Sequence, residues 1–362
     1  MNEKEQLVLQ TIKSNPFLSQ QEMAEVLNIP RPTLANIISG LIKKGEIIGR
    51  AYVLPERNSI FAIGGANVDR KFHIDGSVQH GTSNPSTVTE SVGGVARNVA
   101  ENLGRFGNDV KLITLIGQDH GAKVIENESH AFINFDYVEE LPDLKTGSYS
   151  AVLDRKGELI LAMADMSIYD YLLPPVLIKH EAALSNAKCI IIDLNCPKET
   201  VEYLQNLASI REIPLAIVPV SAPKMKNMPK DLSGVAYFIV NRDEVESYLN
   251  IQMKNKEDYS NAVSTLLEMG AKNVILTLGE QGAMAGNKDG IHHFEAEKTQ
   301  EIIDVTGAGD AFVAGFMHAV LNEESFIDAV NFGQYNASKT LQSNKTVRQD
   351  ITAEELNNWR NK

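Results

Sequence analysis

Short, continuously apolar runs alternate along this chain with longer helix-period stretches, and that alternation constrains the fold more than any other feature. SIFAIGGANVD (59–69), VKLITLIG (110–117), AKCIIIDLN (187–195), LAIVPVS (215–221), VAYFIVN (235–241) and KNVILTLG (272–279) each read as a strand buried on both faces. Between the later runs lie amphipathic stretches such as ETVEYLQNLASI and YSNAVSTLLEMGA, long enough for helices. The pattern predicts an α/β fold, a doubly wound, mainly parallel sheet with helices on both faces. Ligands of such folds gather outside the carboxyl ends of the strands. The polar residues closing the runs are therefore candidate site residues: Asn67, Asp69, Asp193, Asn195, Asn241, Thr277 and Gly279.

Two stretches break the alternation. Residues 71–91 and 146–165 read as short antiparallel strands, the second turning near Arg155-Lys156-Gly157. They predict a small β-sheet lid projecting from the main domain.

The first residues have a different texture. Residues 1–58 hold seven Lys/Arg and six Asp/Glu, or +1, within a chain whose net charge is −13. Ser19 and Glu22 form a capping-box signature before QQEMAEVLN, and Pro30 and Pro32 stop that helix from running on. A third helix is expected from about Thr33 to Lys44, with Leu34, Ile37, Ile38, Leu41 and Ile42 on one face, followed by a hairpin in EIIGRAYVL. Residues 1–56 thus predict a winged helix-turn-helix, separate from a domain spanning 59–362. LSQQEMAEVLNIPRPTLANIISGLIKKGEI resembles the DNA-binding heads of bacterial regulators. Arg31, Thr33, Asn36 and Ser39 would then face a major groove, with Lys43, Lys44 and Arg50 meeting phosphates. The alternative is a winged helix used only for oligomer or protein contacts.

Several function classes drop out. No apolar run approaches the roughly 20 residues that cross a bilayer. MNEKEQLVLQ is charged and amphipathic rather than a secretory leader, and Cys189 and Cys196 show neither metal spacing nor a disulfide framework. A cytoplasmic home is expected. The strongly acidic balance argues against a nucleic-acid coat. The eight histidines lack zinc-site spacing, and no G-x-x-x-x-G-K-[ST] loop exists.

Residues 304–312 read DVTGAGDAF, where small side chains crowd a carboxylate just before the apolar run AFVAGFMHAVL. Thr306, Gly307, Ala308 and Gly309 allow backbone amides to approach a ligand, and free amides at a helix start form an anion site. Asp310 would repel a phosphate, so it is better placed to take the proton of an attacking alcohol. The segment alone is equally consistent with a turn capped by Asp310. GGVARNVAENLGRFG (93–107) repeats the logic, with Gly93 and Gly94 opening a helix beside Arg97 and Asn98.

Together these two motifs, over residues from about 59 to 362, resemble the PfkB, or ribokinase-like, family of small-molecule kinases. The resemblance implies transfer of the ATP γ-phosphate to an alcohol, with Asp310 as base and the 307–310 amides as anion hole. It implies that Asn241 and Glu244 organise Mg²⁺ through water. Thr277, Gly279 and Gly282 would form the nucleotide turn, Asn336 would approach the adenine, and Asp304 would help hold a monovalent cation such as K⁺. Val305 stands where the family commonly has Thr, which removes only a hydroxyl before the loop.

For the acceptor, the resemblance assigns hydroxyl ligands to Asn67, Asp69, Gly94 and Asn98. TSNPS (82–86), the 146–166 stretch and VPVSAPK (218–224) resemble the pseudouridine kinase branch, although Val218 replaces an Asp found there. Ser83, Asn84, Ser148, Asp165 and Met166 would face a nucleobase, and Tyr149 would stack on it or pack within the lid. The alternatives are a ribokinase- or fructokinase-like sugar kinase and a metabolite-sensing regulator. Lid-mediated homodimers are common in the family.

Overall fold

The computed structural model describes residues 2–15, 18–48, 58–299 and 301–361. The chain divides into two compact units, one of residues 1–58 with 181–187, the other of 59–180 with 188–362.

In the first unit, Asn2 and Ser19 close capping boxes with Glu5 and Glu22 at the starts of α1 (Glu3–Ser14) and α2 (Gln20–Leu27). Asn28 ends α2 in the left-handed conformation (φ 51°). α3 (Arg31–Lys43) begins slightly earlier than its pattern suggests, because Pro32 in a first turn has no N–H to leave unpaired. Val8, Ile12, Met23, Leu34, Ile38, Leu41 and Ile47 form the core between the helices. Ile42, expected on the inward face, is 45% exposed. Arg31, Thr33, Asn36, Ser39 and Lys43 are exposed as the DNA-facing expectation requires. Lys44 is exposed as well, and its ammonium is bonded to Glu5 Oε1 at 2.8 Å. Arg50 and most of the expected hairpin lie outside the described residues.

The strands of the second unit are, in chain order, β1 (Ile60–Ile63), β2 (Asn67–Ile74), β3 (Ser86–Gly93), β4 (Val110–Ile113), β5 (Leu115–Gly117), β6 (Glu139–Leu141), β7 (Ser148–Leu153) and β8 (Leu159–Asp165). They continue with β9 (Cys189–Asp193), β10 (Leu215–Val218), β11 (Tyr237–Asn241), β12 (Asn273–Thr277), β13 (Ala283–Asn287) and β14 (Gly290–Phe294). The main sheet runs β14-β13-β12-β11-β10-β9-β1-β4, parallel from β4 to β12. β13 and β14 add an antiparallel edge. Their sequence is not an unbroken apolar run, so periodicity passes over them.

The stretches that broke the alternation form a second sheet, β3-β2-β7-β8. One correction applies: β2 and β7 pair in parallel, because they are not consecutive strands and reach each other through a crossover. β2 starts directly after the loop leaving β1, so the second sheet grows out of the carboxyl end of the first. Strand β8 at its edge is exposed along its whole length.

Four helices position the site: α4 (Val95–Arg105), α5 (Arg242–Leu249), α6 (Ala308–Leu321) and α7 (Phe326–Thr340). Every residue of α6 from Ala311 to Ala319 is buried, as a sequence apolar on all sides but for His318 requires. Phe316 and Phe332 are fully buried and each contributes about 2–3 kcal/mol of transfer free energy. Gly315 and Gly333 let α6 and α7 approach closely: a Cβ on Gly315 would lie 3.0 Å from that of Asn336. Such packing holds the first turn of α6, which carries Asp310, in a fixed place. Among the described residues, no helix is long and apolar enough to cross a membrane.

Candidate active site

The site gathers where strands β1 and β9 end and helices α4 and α6 begin. Asp193 closes β9 and is buried. Its Oδ2 accepts N–H bonds from Gly65 (2.8 Å) and Ala96 (3.0 Å), and its Oδ1 accepts one from Asn195 (2.8 Å). Side chains at Gly64 or Gly65 would overlap the Asp193 and Asn195 side chains, and one at Gly94 (φ 96°) would overlap Gly65 O. The glycines therefore exist so that three loops can converge on one carboxylate. This corrects the reading of Asp193 as a substrate ligand: its oxygens already serve backbone amides. Tyr169, which no motif singled out, holds the same loop through bonds between its hydroxyl and Ala66 N and O.

From this knot α4 carries Asn98 to Asp310. Asn98 Nδ2 donates to Asp310 Oδ2 at 2.7 Å, across 212 residues of sequence. Arg97, fully inside the protein, donates to Asn98 Oδ1 (2.8 Å), Ser129 Oγ (2.9 Å) and Val92 O (3.2 Å), and is paired with Glu101. With its oxygen held by a guanidinium, the Asn98 amide must turn its NH₂ toward Asp310. Glu101 also pairs with Arg105, at 2.8 Å. Both arginines stand four residues from it, a spacing legible in the sequence.

Asp310 lies in the first turn of α6, whose N-cap, Gly307, is left-handed (φ 82°) and brings no side-chain cap. A Cβ on Gly307 would overlap Thr346 O, whereas one on Gly309 would meet nothing within 4 Å. The loop thus packs on one side and opens on the other, and helix-start amides lack intrahelical partners. Ala308 N is turned back toward Val305 O, at 3.4 Å. Desolvation pushes the Asp310 carboxyl up to about 7, against the pull of the Asn98 bond and the Arg97 charge, while the Asp193 and Glu244 carboxylates push the same way.

The neighbouring acids show the same pattern. Burial raises Asp69 to about 6, although Asn67 Nδ2 donates to its Oδ1 at 2.5 Å. A side chain at Gly93 would overlap that carboxylate. Glu244 is raised to about 7 by burial. Asn241 and Glu244 cap α5 reciprocally: Glu244 N donates to Asn241 Oδ1 (2.9 Å), and Asn241 N donates to Glu244 Oε2 (2.8 Å). Among the described residues no three His, Cys, Asp or Glu side chains cluster as a metal cage. Glu244 is one buried carboxylate beside this helix start, the kind of donor that holds Mg²⁺ together with phosphates and water. The nearby turn has Gly279 (φ 59°) and Gly282 (φ 82°), with Leu278 N donating to Gly282 O at 2.8 Å; Thr277 Oγ1 donates to Val240 O at 3.2 Å.

Other expectations change. Asn336 does not present its amide to a nucleotide: it is completely buried, donates to Ala311 O (2.7 Å) and accepts from Arg348 Nη2 (2.9 Å). It braces the turn that carries Asp310. Asn84 organises its own loop, bonded to Gln79 N and O and Thr82 O. Asp165 accepts from Ser167 N and Oγ, and Ser83 is exposed on the same loop as Asn84. Ser148 lies in register with Val68, between Asn67 and Asp69, while Met166 begins a 3₁₀ turn beyond β8. Asn84 and Asp165 thus spend polar atoms on their own loops. Asp304 accepts an ammonium, that of Lys71, at 2.9 Å.

Comparison with known proteins adds to this geometry. The pattern of the pfkB family carbohydrate kinases matches residues 57–352, and that of winged helix-turn-helix DNA-binding domains matches residues 1–47. An uncharacterized sugar kinase of Escherichia coli K12, YeiI, is 29% identical over 333 residues, covering 92% of this chain and 91% of its own. Pseudouridine kinase of the same organism is 28% identical, covering 82% of this chain and 95% of its own. Among solved structures, a carbohydrate kinase from Agrobacterium tumefaciens superposes with a TM-score of 0.74 at 27% identity, covering 83% of this chain and 96% of its own.

The two loop glycines should separate in mutagenesis. Gly307→Ala places a side chain at positive φ against Thr346 O, and should lower the melting temperature by the equivalent of about 1–3 kcal/mol. Gly309→Ala should leave melting unchanged within about 0.5 kcal/mol, yet weaken nucleotide binding measured by calorimetry, because its methyl enters the open side of the loop.

Proposed function

The chain belongs to the pfkB carbohydrate kinase family, and on that footing we propose that it is a cytoplasmic ATP-dependent kinase for the 5′-hydroxyl of a nucleoside, pseudouridine first among them. The observation that carries the kinase reading is the Asn98–Asp310 bond at the uncapped start of α6. It puts a proton acceptor and a set of anion-binding amides in one turn of helix. The acceptor alcohol gives its proton to Asp310 while its oxygen attacks the γ-phosphorus, and ADP leaves. With Oδ2 held by Asn98, the Oδ1 atom takes that proton. The amides of residues 307–310 and the positive end of α6 stabilise charge on the transferring phosphoryl group. Asn241 and Glu244 would hold Mg²⁺ through water, and the ion would supply charge neutralisation on the nucleotide phosphates and favour ionised carboxylates nearby.

The nucleoside assignment is supported by the pseudouridine kinase relative and by the stretches at 82–86, 146–166 and 218–224. Asn67 and Asp69 would hold the ribose hydroxyls, a pairing suited to a vicinal diol. A sugar kinase of the ribokinase or fructokinase type is the second reading, and a sensor without turnover the third.

A coupled assay across pseudouridine, uridine, adenosine, ribose and fructose decides among these. The expectation is highest kcat/KM with pseudouridine; turnover of ribose or fructose alone would move the assignment to the sugar kinases, and none at all to the sensor. Asp310→Asn should lose about 10²- to 10⁴-fold in kcat while still binding nucleotide. In the wild type, kcat/KM should rise with pH through about 7 as Asp310 ionises. Stability should run the other way. A carboxyl whose folded pKa is raised stabilises most below its unfolded value and loses that contribution as pH climbs through about 7. Asp310→Asn should therefore melt above the wild type at pH 8, with the gap closing in acid.

The helix-turn-helix unit we read as a DNA-binding head, supported by the exposed row Arg31, Thr33, Asn36, Ser39 and Lys43 on α3. Duplex DNA followed by fluorescence anisotropy should bind in a salt-dependent manner, and Lys43→Ala should reduce the salt slope by about one. Equal affinity at all salt concentrations would point to protein contacts instead. A homodimer built through β8 suits both a two-fold operator and the exposed Leu159, Leu161 and Met163 of that edge strand. Sedimentation should report twice the 39.8 kDa of one chain, and Leu161→Lys should shift it to the monomer.

A further inference from the structure

Asp304 opens the loop that ends in Asp310, and both of its carboxylate oxygens are engaged. Oδ1 accepts from Thr306 N (2.9 Å) and Thr306 Oγ1 (2.7 Å), and Oδ2 accepts from Lys71 Nζ (2.9 Å). The bond to Lys71 joins two parts of the kinase unit that are 233 residues apart. Lys71 lies on β2 two residues beyond Asp69, hence on the same face of the second sheet. It pairs in register with Thr89 and Ala151, so two neighbouring strands support its backbone. Asp304 is tied by its amide to Leu341 O, at 3.4 Å, and through Thr306 to the turn before α6.

These residues do not fit the monovalent cation that sequence resemblance assigns to Asp304. Both Asp304 oxygens already accept bonds, from three donors in all. The position beside Oδ2 also carries a full positive charge, which would repel a second cation. An ammonium group and a potassium ion bear the same charge at similar radius, so the lysine fulfils the electrostatic requirement by itself. Unlike a bound ion, it is covalently part of the sheet that carries Asn67 and Asp69. Desolvation pushes the Asp304 carboxyl up, but the Thr306 bonds and then the Lys71 ammonium together hold it below its usual range.

We propose that Lys71 is a built-in cation for the catalytic loop: its ammonium neutralises Asp304 and orders the turn leading to Asp310, so turnover requires no added monovalent cation. Lys71 is a positioning residue in this scheme, acting through Asp304 and Thr306. The inference rests on the kinase reading for its effect on rate, but its effect on the loop can be measured without turnover.

The test uses the full chain in potassium chloride and in choline chloride at equal ionic strength. Wild-type kcat should agree within about twofold between the two salts. Lys71→Met in choline should lose about fivefold in kcat, equivalent to about 1 kcal/mol, with KM for the acceptor little changed. Potassium should restore part of that loss, and Lys71→Arg should keep the wild-type rate. Melting supplies the second readout: potassium should raise the melting temperature of Lys71→Met but not of the wild type. A wild type that loses more than about tenfold in choline and is stabilised by potassium would overturn the proposal. So would a Lys71→Met variant matching the wild type in rate and melting in both salts. If no acceptor in the panel is phosphorylated, the kinase reading fails, and the melting comparison still decides the role of Lys71.

Discussion

The Asp193 carboxylate accepts backbone N–H bonds from three separate segments, and the geometry of the site depends on that meeting point. It ties the loop after β1 to the start of α4 and to the turn after β9. Each tie is buried, where an amide left without its acceptor costs about 1–3 kcal/mol. Gly64, Gly65 and Gly94 are the steric condition for the arrangement, because any side chain there would fill the space the carboxylate and the Gly65 backbone occupy. Once the start of α4 is fixed, the Arg97–Asn98 pair is fixed, and with it the amide that holds Asp310. The Asp193 carboxylate, which accepts backbone amides, thereby sets the position of Asp310.

Burial gives the site its chemical character. Asp69, Glu244 and Asp310 all lie above the ordinary carboxylate range, with desolvation the largest cause for each. Arg97 is the buried cation among them, and Glu101 and Asn98 consume its donors. The site before substrate binding therefore holds excess acid that burial keeps partly protonated. In the proposed reaction, nucleotide-bound Mg²⁺ would shift that balance toward ionised Asp310, adding to the α6 dipole that is already in place. At Asp304 the nearby positive charge is the half-buried Lys71 ammonium, 2.9 Å from the carboxylate.

Several elements can be read without coordinates. The capping boxes Asn241–Glu244 and Ser19–Glu22 follow from residue type and a three-residue spacing, because a helix start always leaves amides to be capped. The parallel strands follow from runs apolar on both faces. Asp310 is legible from small neighbours before an apolar helix, and Asn98 from the glycine pair that precedes it. Asn336 misleads for an equally physical reason. An amide side chain suits either a ligand or a buried brace, and only packing against α6 and Arg348 shows it to be the brace. Asn84 and Asp165 likewise have the right chemistry, but their hydrogen bonds close on their own loops.

Residue order alone therefore specifies what is local or periodic: an α/β domain behind a helix-turn-helix segment, the helix starts, and the loop whose small residues expose amides. Those features arise from interactions within a few residues, or from repeats that record which face is buried. Which polar groups meet across long separations is settled by the folded arrangement and by nothing short of it. Asn98 reaches Asp310, Lys71 reaches Asp304, and three loops share Asp193. Such contacts depend on strand order and on the crossover that sets β2 beside β7, and neither leaves a periodic mark in the residues that make the contact.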